Sequence, residues 1–367
     1  MQEFTIDKNE AGQRMDKYLN KLLKNAPSSF VYKMLRKKNI TLNGKKAAGT
    51  EILAAHDTVR MFFSEETFEK FSGFSYQPGE DLSVTPSQNE DLTSENDVLD
   101  TKNKVSSLRT EPAPDAQVKE YLYAYRKLSG IKVVYEDSDV LILNKPMNVL
   151  SQKADKTSVS ANEWMIGYLL TEGKISKNQL RTFKPSVVNR LDRNTTGLLL
   201  CGISLKGTQC LSECVRNRTV EKYYLTIVGG VFAKEQNFSG FLCKNEQNNK
   251  VTFFQKKEMI PAKLLKEAAE VKTGFEPVDT DGSLSLVKVH LYTGKTHQIR
   301  AHLASLGYPV LGDPKYGNKK LNEKFHEKVQ LLHAYRLEFP SLPGMEISEK
   351  TITCELPKSF QKYHFSI

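Results

Sequence analysis

Long apolar runs are absent from this chain. No stretch within its 367 residues approaches the roughly 20 apolar residues that cross a bilayer, so no membrane-spanning helix is expected. The first residues, Met1-Gln2-Glu3-Phe4-Thr5, offer neither a basic start nor an apolar stretch, and no secretory signal is expected. Cysteines are few: Cys201, Cys210, Cys214, Cys243 and Cys354. Their number is odd and no Cys-x-x-Cys pair occurs. That argues against disulfide staples and a structural zinc, and fits a reducing cytoplasm. Internal repeats are missing too. What remains, 39% hydrophobic and 26% charged residues, is ordinary for a globular protein with room for two domains.

Charge is unevenly placed. The net charge is +10. Residues 1–63 hold 12 Lys and Arg against 6 Asp and Glu, whereas residues 64–118 hold 4 against 12. The rest of the chain carries a net +12. Two basic blocks around an acidic spacer suggest two surfaces that meet a polyanion.

Residues 1–63 read as a small α/β unit. Met15, Tyr18, Leu19, Leu22 and Leu23 have the spacing of one buried helical stripe. A second helix follows Pro27, with Val31, Met34 and Leu35 on one side and Lys33, Arg36, Lys37 and Lys38 on the other. The basic side fits a solvated surface as well as an RNA contact. Ile40-Thr41-Leu42 before Asn43-Gly44 signals a hairpin. Residues 64–130 read as an acidic flexible linker, poor in large apolar groups after Tyr76, with a short helix over 119–127. From 131 to 367 the pattern is a mixed α/β domain built on one main sheet. Strands are expected at 131–135, 140–144, 198–203, 223–228, 250–254, 284–291 and 350–355, and helices at 160–171, 204–216 and 296–306.

Three segments carry candidate chemistry. In Asn189-Arg190-Leu191-Asp192-Arg193-Asn194-Thr195-Thr196-Gly197 a polar loop runs into the apolar strand Leu198-Leu199-Leu200-Cys201. A strand fixes such a loop in place, and positive charge on both sides of Asp192 favours a carboxylate. The segment fits a turn-capping Asp equally well. In Lys222-Tyr223-Tyr224, strand alternation puts Lys222 and Tyr224 on one face, where a tyrosine could stack on a base or serve as an ordinary strand aromatic. The third segment is Thr293-Gly294-Lys295-Thr296-His297-Gln298-Ile299-Arg300. Its Gly-Lys-Thr lacks the P-loop glycine, since position 289 is Val. His297 and His302 are five apart, which does not suit a helical metal pair.

Together these segments resemble the RluA family of RNA pseudouridine synthases. The motifs stand in the family's order: Val134-Tyr135-Glu136-Asp137 to Leu143-Asn144-Lys145-Pro146, then Asn189 to Gly197, then Lys222-Tyr223-Tyr224. Thr293 to Arg300 follows, continuing to Gly312-Asp313 and Tyr316-Gly317, with Leu332-His333-Ala334 after it. Residues 1–63 are similar to an S4 RNA-binding domain through Gly12-Gln13-Arg14-Met15-Asp16 and Asn43-Gly44-Lys45. The sequence departs from the family where Asn189 replaces His, Thr196 replaces Ser, Lys295 replaces Arg and Asn148 replaces Gly.

The resemblance implies a catalytic domain over 131–367 with a central mixed, mainly antiparallel sheet flanked by helices, beside the small S4 domain. It implies isomerisation of uridine to pseudouridine, with large-subunit (23S) ribosomal RNA the favoured substrate and transfer RNA the alternative. Asp192 is the expected essential carboxylate, Arg300 its partner, and Tyr224 the aromatic over the uracil. Arg190 is expected to fill the space left by the flipped base. Lys222, Arg14, Lys33, Arg36, Lys37 and Lys45 are expected RNA contacts. No metal, cofactor or membrane is expected, and the protein is expected to be a monomer.

Overall fold

The computed structural model describes residues 1–76, 114–245 and 250–366. They form two compact units, one of residues 1–127 and 163–184 and one of residues 128–162 and 185–367.

The first unit is built on a four-stranded antiparallel sheet in the order β1 (Gln2–Thr5), β4 (Thr58–Met61), β2 (Ile40–Leu42), β3 (Lys45–Lys46). Against it pack α1 (Met15–Leu22) and α2 (Ser28–Arg36), whose expected stripes are buried together with Ile6, Ile40, Val59 and Met61. Arg36, Lys37 and Lys45 remain outside.

Residues 64–76, read above as the start of a linker, are folded instead. They form α3 (Glu65–Ser72), capped by the Ser64 hydroxyl, which accepts from the Thr67 N–H at 3.3 Å, and closed by Gly73 at φ 76°. Phe68 is fully buried among Phe4, Phe74 and Tyr76. Glu65, Glu66 and Glu69 stay on the wet side. The acidic composition hid the aromatic spacing that ties this helix down. The rest of the expected linker up to residue 113 lies outside the described residues. The unit is completed by α4 (Pro114–Lys127), most of α5 (Ala161–Thr171) and α6 (Gln179–Thr182). Gly167 lets α5 approach α4, because a Cβ there would meet the Tyr121 carbonyl oxygen at 2.3 Å.

The second unit holds a sheet of 11 strands among the described residues, with the path β11-β10-β12-β13-β9-β14-β8-β6-β5. In chain order these are β5 (Lys132–Glu136), β6 (Val140–Lys145), β7 (Ser186–Val187), β8 (Thr196–Gly202), β9 (Glu221–Gly229), β10 (Gln236–Asn245), β11 (Lys250–Phe254), β12 (Ala268–Thr280), β13 (Leu284–Leu291), β14 (Leu332–Glu338) and β15 (Thr351–Thr353). β7 pairs with β8, and β15 with β14. Only β14 and β8 run parallel among these pairs. The helices are α7 (Leu205–Asn217), α8 (Gln298–Ser305), α9 (Lys319–Lys324) and α10 (Lys358–Gln361). The fold is α+β, with a mainly antiparallel sheet flanked by helices.

In the second unit the two-residue β7 and the longer β10 and β12 escaped the sequence reading. β10 has few apolar residues, and β12 contains Pro277, which ordinarily argues against a strand. Here a register shift between Pro277 and Asp279 accommodates the proline while β12 still bridges β10 and β13.

The centre of the sheet positions the site. Gly197 opens the contact between β8 and β14: its φ is 108°, and a Cβ would stand 2.1 Å from the Ala334 carbonyl oxygen. No larger residue lets the Asp192 loop leave β8 so close to its neighbour.

Candidate active site

The loop before β8 is pinned from several directions. The Asn189 side chain accepts from the Leu200 N–H at 2.8 Å, which folds the loop back on β8. Leu191 exchanges two hydrogen bonds of 2.9 Å with the Ser151 hydroxyl. The buried Lys145 ammonium donates to the carbonyls of Pro146, Val149 and Arg193 at 3.0, 2.8 and 3.0 Å. Three acceptors match its three donors. Burial lowers the pKa of Lys145 to about 7, and the Asp192 charge works in the opposite direction. Both neighbours of Asp192 are thereby fixed.

The Asp192 backbone closes the following turn, its carbonyl accepting from the Thr195 N–H at 3.0 Å. Its side chain points elsewhere. Oδ2 accepts from Arg300 Nη1 at 2.7 Å, and 26% of the side chain stays exposed. So the carboxylate is anchored on one side and reachable from solvent. Arg190 and Arg193, its sequence neighbours, are both exposed, and the cation on Asp192 is Arg300.

Arg300 is held by a second carboxylate. Its Nε and Nη2 donate to Asp313 Oδ2 and Oδ1 at 2.6 and 2.9 Å, a bidentate fork. Asp313 also accepts from the Lys315 and Tyr316 N–H groups. Burial opposes the Arg300 charge, but Asp313 and then Asp192 outweigh it, and its pKa is raised. Burial likewise opposes the Asp313 charge, and Arg300 more than reverses that, leaving its pKa low. The result is a fixed row of three charges, Asp313–Arg300–Asp192, with only the last open to solvent.

The start of α8 is set by Gln298. Its side chain accepts from the Thr293 hydroxyl and the Lys295 N–H and donates to the Lys272 carbonyl and the Thr273 hydroxyl. His297 precedes it at φ 56°, with Nε2 4.0 Å from Asp192 Oδ2 and Nδ1 hydrogen-bonded to the Tyr316 hydroxyl at 3.0 Å. Burial lowers the His297 pKa despite Asp192. Tyr224 lies on β9 between β13 and β14, with 6% of its surface exposed. Burial, and after it the charge of Asp192, raises its pKa and keeps the phenol protonated. A carboxylate, a guanidinium and a buried phenol thus converge from three elements far apart in the chain.

Residues 139–305, which contain the Asp192 loop, Tyr224 and Arg300, match the RNA pseudouridylate synthase family. Similar proteins include the ribosomal large subunit pseudouridine synthase C of Vibrio cholerae, 27% identical over 92% of this chain and 89% of that one. Another is the ribosomal large subunit pseudouridine synthase D of Borreliella burgdorferi, 29% identical over 63% and 66%. Among solved structures, human RNA Pseudouridylate Synthase Domain Containing 4 has the same fold, with TM-score 0.52 and 20% identity over 68% of this chain and 98% of that one.

The structure brings together three residues singled out from sequence, Asp192, Tyr224 and Arg300. Arg190 lies exposed on the same loop. Lys222 differs from its expected role: it is 8% exposed, and its ammonium donates to the Val220 carbonyl at 2.9 Å. Strand alternation that puts it on the face of Tyr224 also puts it indoors. Arg14 pairs with Asp16 at 2.7 Å, while Lys33, Arg36, Lys37 and Lys45 are exposed. Asp313, Gln298, His297 and Lys145 are parts of the site that sequence reasoning did not single out. The Gly312-Asp313 motif was the available signal for the first of them.

Proposed function

We propose that this chain isomerises uridines of large-subunit ribosomal RNA, with Asp192 as the carboxylate at the reacting sugar. The carrying observation is the Asp313–Arg300–Asp192 row, which leaves one oriented, reachable carboxylate beside a buried tyrosine. The reaction breaks the bond from N1 of uracil to C1′ of ribose, turns the base, and joins C5 to C1′ while the C5 proton leaves. Atoms and oxidation state balance, so the chemistry requires neither redox cofactor nor metal.

Asp192 acts at the sugar, Arg300 keeps its charge aimed there, and Tyr224 lies against the uracil near C5. Because a duplex hides the sugar edge, the nucleotide must leave its stack, at roughly a few kcal/mol. Arg190, exposed on the Asp192 loop, is placed to fill the gap. Phosphate contacts from Arg14, Lys33, Arg36, Lys37 and Lys45 on an S4-like unit would offset the extrusion. The likeness to relatives named for the large ribosomal subunit favours that RNA over transfer RNA. A cytoplasmic monomer is the corresponding form.

The test is Asp192→Asn on unmodified ribosomal RNA. Tritium release from C5-labelled uridine should fall at least about 100-fold with RNA still bound. Release at the parental rate would overturn the assignment. Pseudouridine maps of ribosomal and transfer RNA from a strain lacking this protein separate the two substrates.

A further inference from the structure

Asp192 Oδ2 has a second donor near it. It accepts from Arg300 Nη1 at 2.7 Å, and His297 Nε2 stands 4.0 Å from the same oxygen. Among the described residues Asp192 Oδ1 accepts no hydrogen bond. The His297 side chain is 15% exposed and that of Asp192 26%, so the gap between them is sheltered but not sealed.

Tyr316 fixes the ring. Its hydroxyl oxygen accepts from the Val251 N–H at 2.8 Å and lies 3.0 Å from His297 Nδ1. A tyrosine hydroxyl has one proton to donate, and Nδ1 is its acceptor. An imidazole that accepts at Nδ1 carries its own proton on Nε2. Burial lowers the His297 pKa, and the charges of Arg300 and Lys315 add to that against Asp192 and Asp313, so the ring is neutral near pH 7. His297 also holds φ 56° at the N-cap of α8, a conformation that residues with side chains seldom adopt. Its Nε2–H is therefore the end that faces Asp192.

A carboxylate held through one oxygen by one donor can still swing about that bond. A second donor to the same oxygen, from another direction, stops the swing and reserves Oδ1 for the sugar. The 4.0 Å separation is about 1 Å longer than a hydrogen bond. Catalytic hydrogen bonds are often that long until substrate is bound.

We propose that His297 is a positioning residue for Asp192, its Nε2–H closing on Oδ2 when RNA binds so that Oδ1 alone faces the ribose. The proposal rests on the reading of Asp192 as the carboxylate at the reacting sugar. The competing role is a histidine that only braces the Tyr316 segment.

Two substitutions separate these roles. Asn suits φ 56° at a helix start, and its side-chain oxygen overlaps Nδ1. His297→Asn therefore keeps the Tyr316 bond and loses the donor towards Asp192. Gln extends one atom further and places an N–H where Nε2 stands. Tritium release from a C5-labelled, unmodified large-subunit ribosomal RNA fragment is followed with the full chain in excess. His297→Asn should lower the single-turnover rate by roughly 10- to 100-fold, with RNA affinity and the denaturant melt nearly unchanged. His297→Gln should recover most of that loss. A parental rate for His297→Asn, equal losses in both variants, or a loss of affinity alone would overturn the proposal. An imidazole nitrogen NMR spectrum of the parent chain, with His297→Gln assigning the signal, does not depend on how His297→Asn folds. It should show the Nε2–H tautomer, and Nδ1–H would overturn the proposal. Failure of the catalytic reading shows separately, as parental tritium release by Asp192→Asn.

Discussion

Asp192 derives its role from what it does not touch. A carboxylate that capped the following turn would have its oxygens satisfied and closed, yet the turn is made by the Asp192 carbonyl instead. The side chain stays free to meet Arg300 and the solvent-facing space. Arg300 in turn depends on Asp313. Replacing Asp313 by Asn leaves a buried guanidinium with one charged partner, and should lower stability by about 3 kcal/mol in a denaturant melt. Turnover should fall with it. Arg300→Lys keeps the charge but loses the fork, so single-turnover rates should drop at least about tenfold while the melt moves less. Tyr224→Phe separates stacking from the hydroxyl: RNA affinity should persist while release of the C5 proton slows about 100-fold. A rate equal to the parent would restrict Tyr224 to stacking.

The elements matter because they bring distant residues to one point. The β8–β14 contact is set by Gly197, where both the φ of 108° and the 2.1 Å approach to Ala334 exclude a side chain. Gly197→Ala should destabilise the protein by roughly 3 kcal/mol or more and disturb the Asp192 loop with it. On α8, His302 packs its ring on Phe253 at 3.9 Å, and on β14 His333 hydrogen-bonds Thr196 at 2.7 Å. Burial pushes the pKa of each down to about 4. Below the unfolded value of about 6.5 the unfolded chain takes up protons that the folded chain refuses. Stability is therefore complete above about pH 6.5 and falls towards pH 4, by roughly 1.4 kcal/mol per pH unit for each histidine. Denaturant midpoints at pH 7 and pH 5 should show this loss. His302→Phe should shrink it by removing one of the two titrating rings.

At the scale of the whole molecule, a net charge of +10 is divided into basic blocks around an acidic one. Exposed cations on α2 should act through affinity rather than chemistry. Lys33→Ala with Lys37→Ala should raise KM for ribosomal RNA severalfold, with kcat nearly constant and a salt slope smaller by about 1 to 2. A change in kcat alone would remove these residues from RNA binding. Motif order and spacing were enough to point to the family resemblance, the main sheet and three residues, Asp192, Tyr224 and Arg300, that the structure brings together. That is because Asp192 precedes an apolar strand, Tyr224 lies within one, and Arg300 sits on a helix with a regular stripe. Local patterns report such features directly. Composition misled where tertiary contacts decide: Phe68 anchors a helix inside an acidic stretch, and Pro277 sits in a strand at a register shift. The sequence by itself, through the motifs that carry the family resemblance, determined which chemistry is expected of Asp192. Only the tertiary structure decided what holds it: Arg300 rather than the neighbouring arginines, and Asp313 behind Arg300. Charge pairing across 108 and 13 residues of chain depends on how the strands close, which no local pattern records.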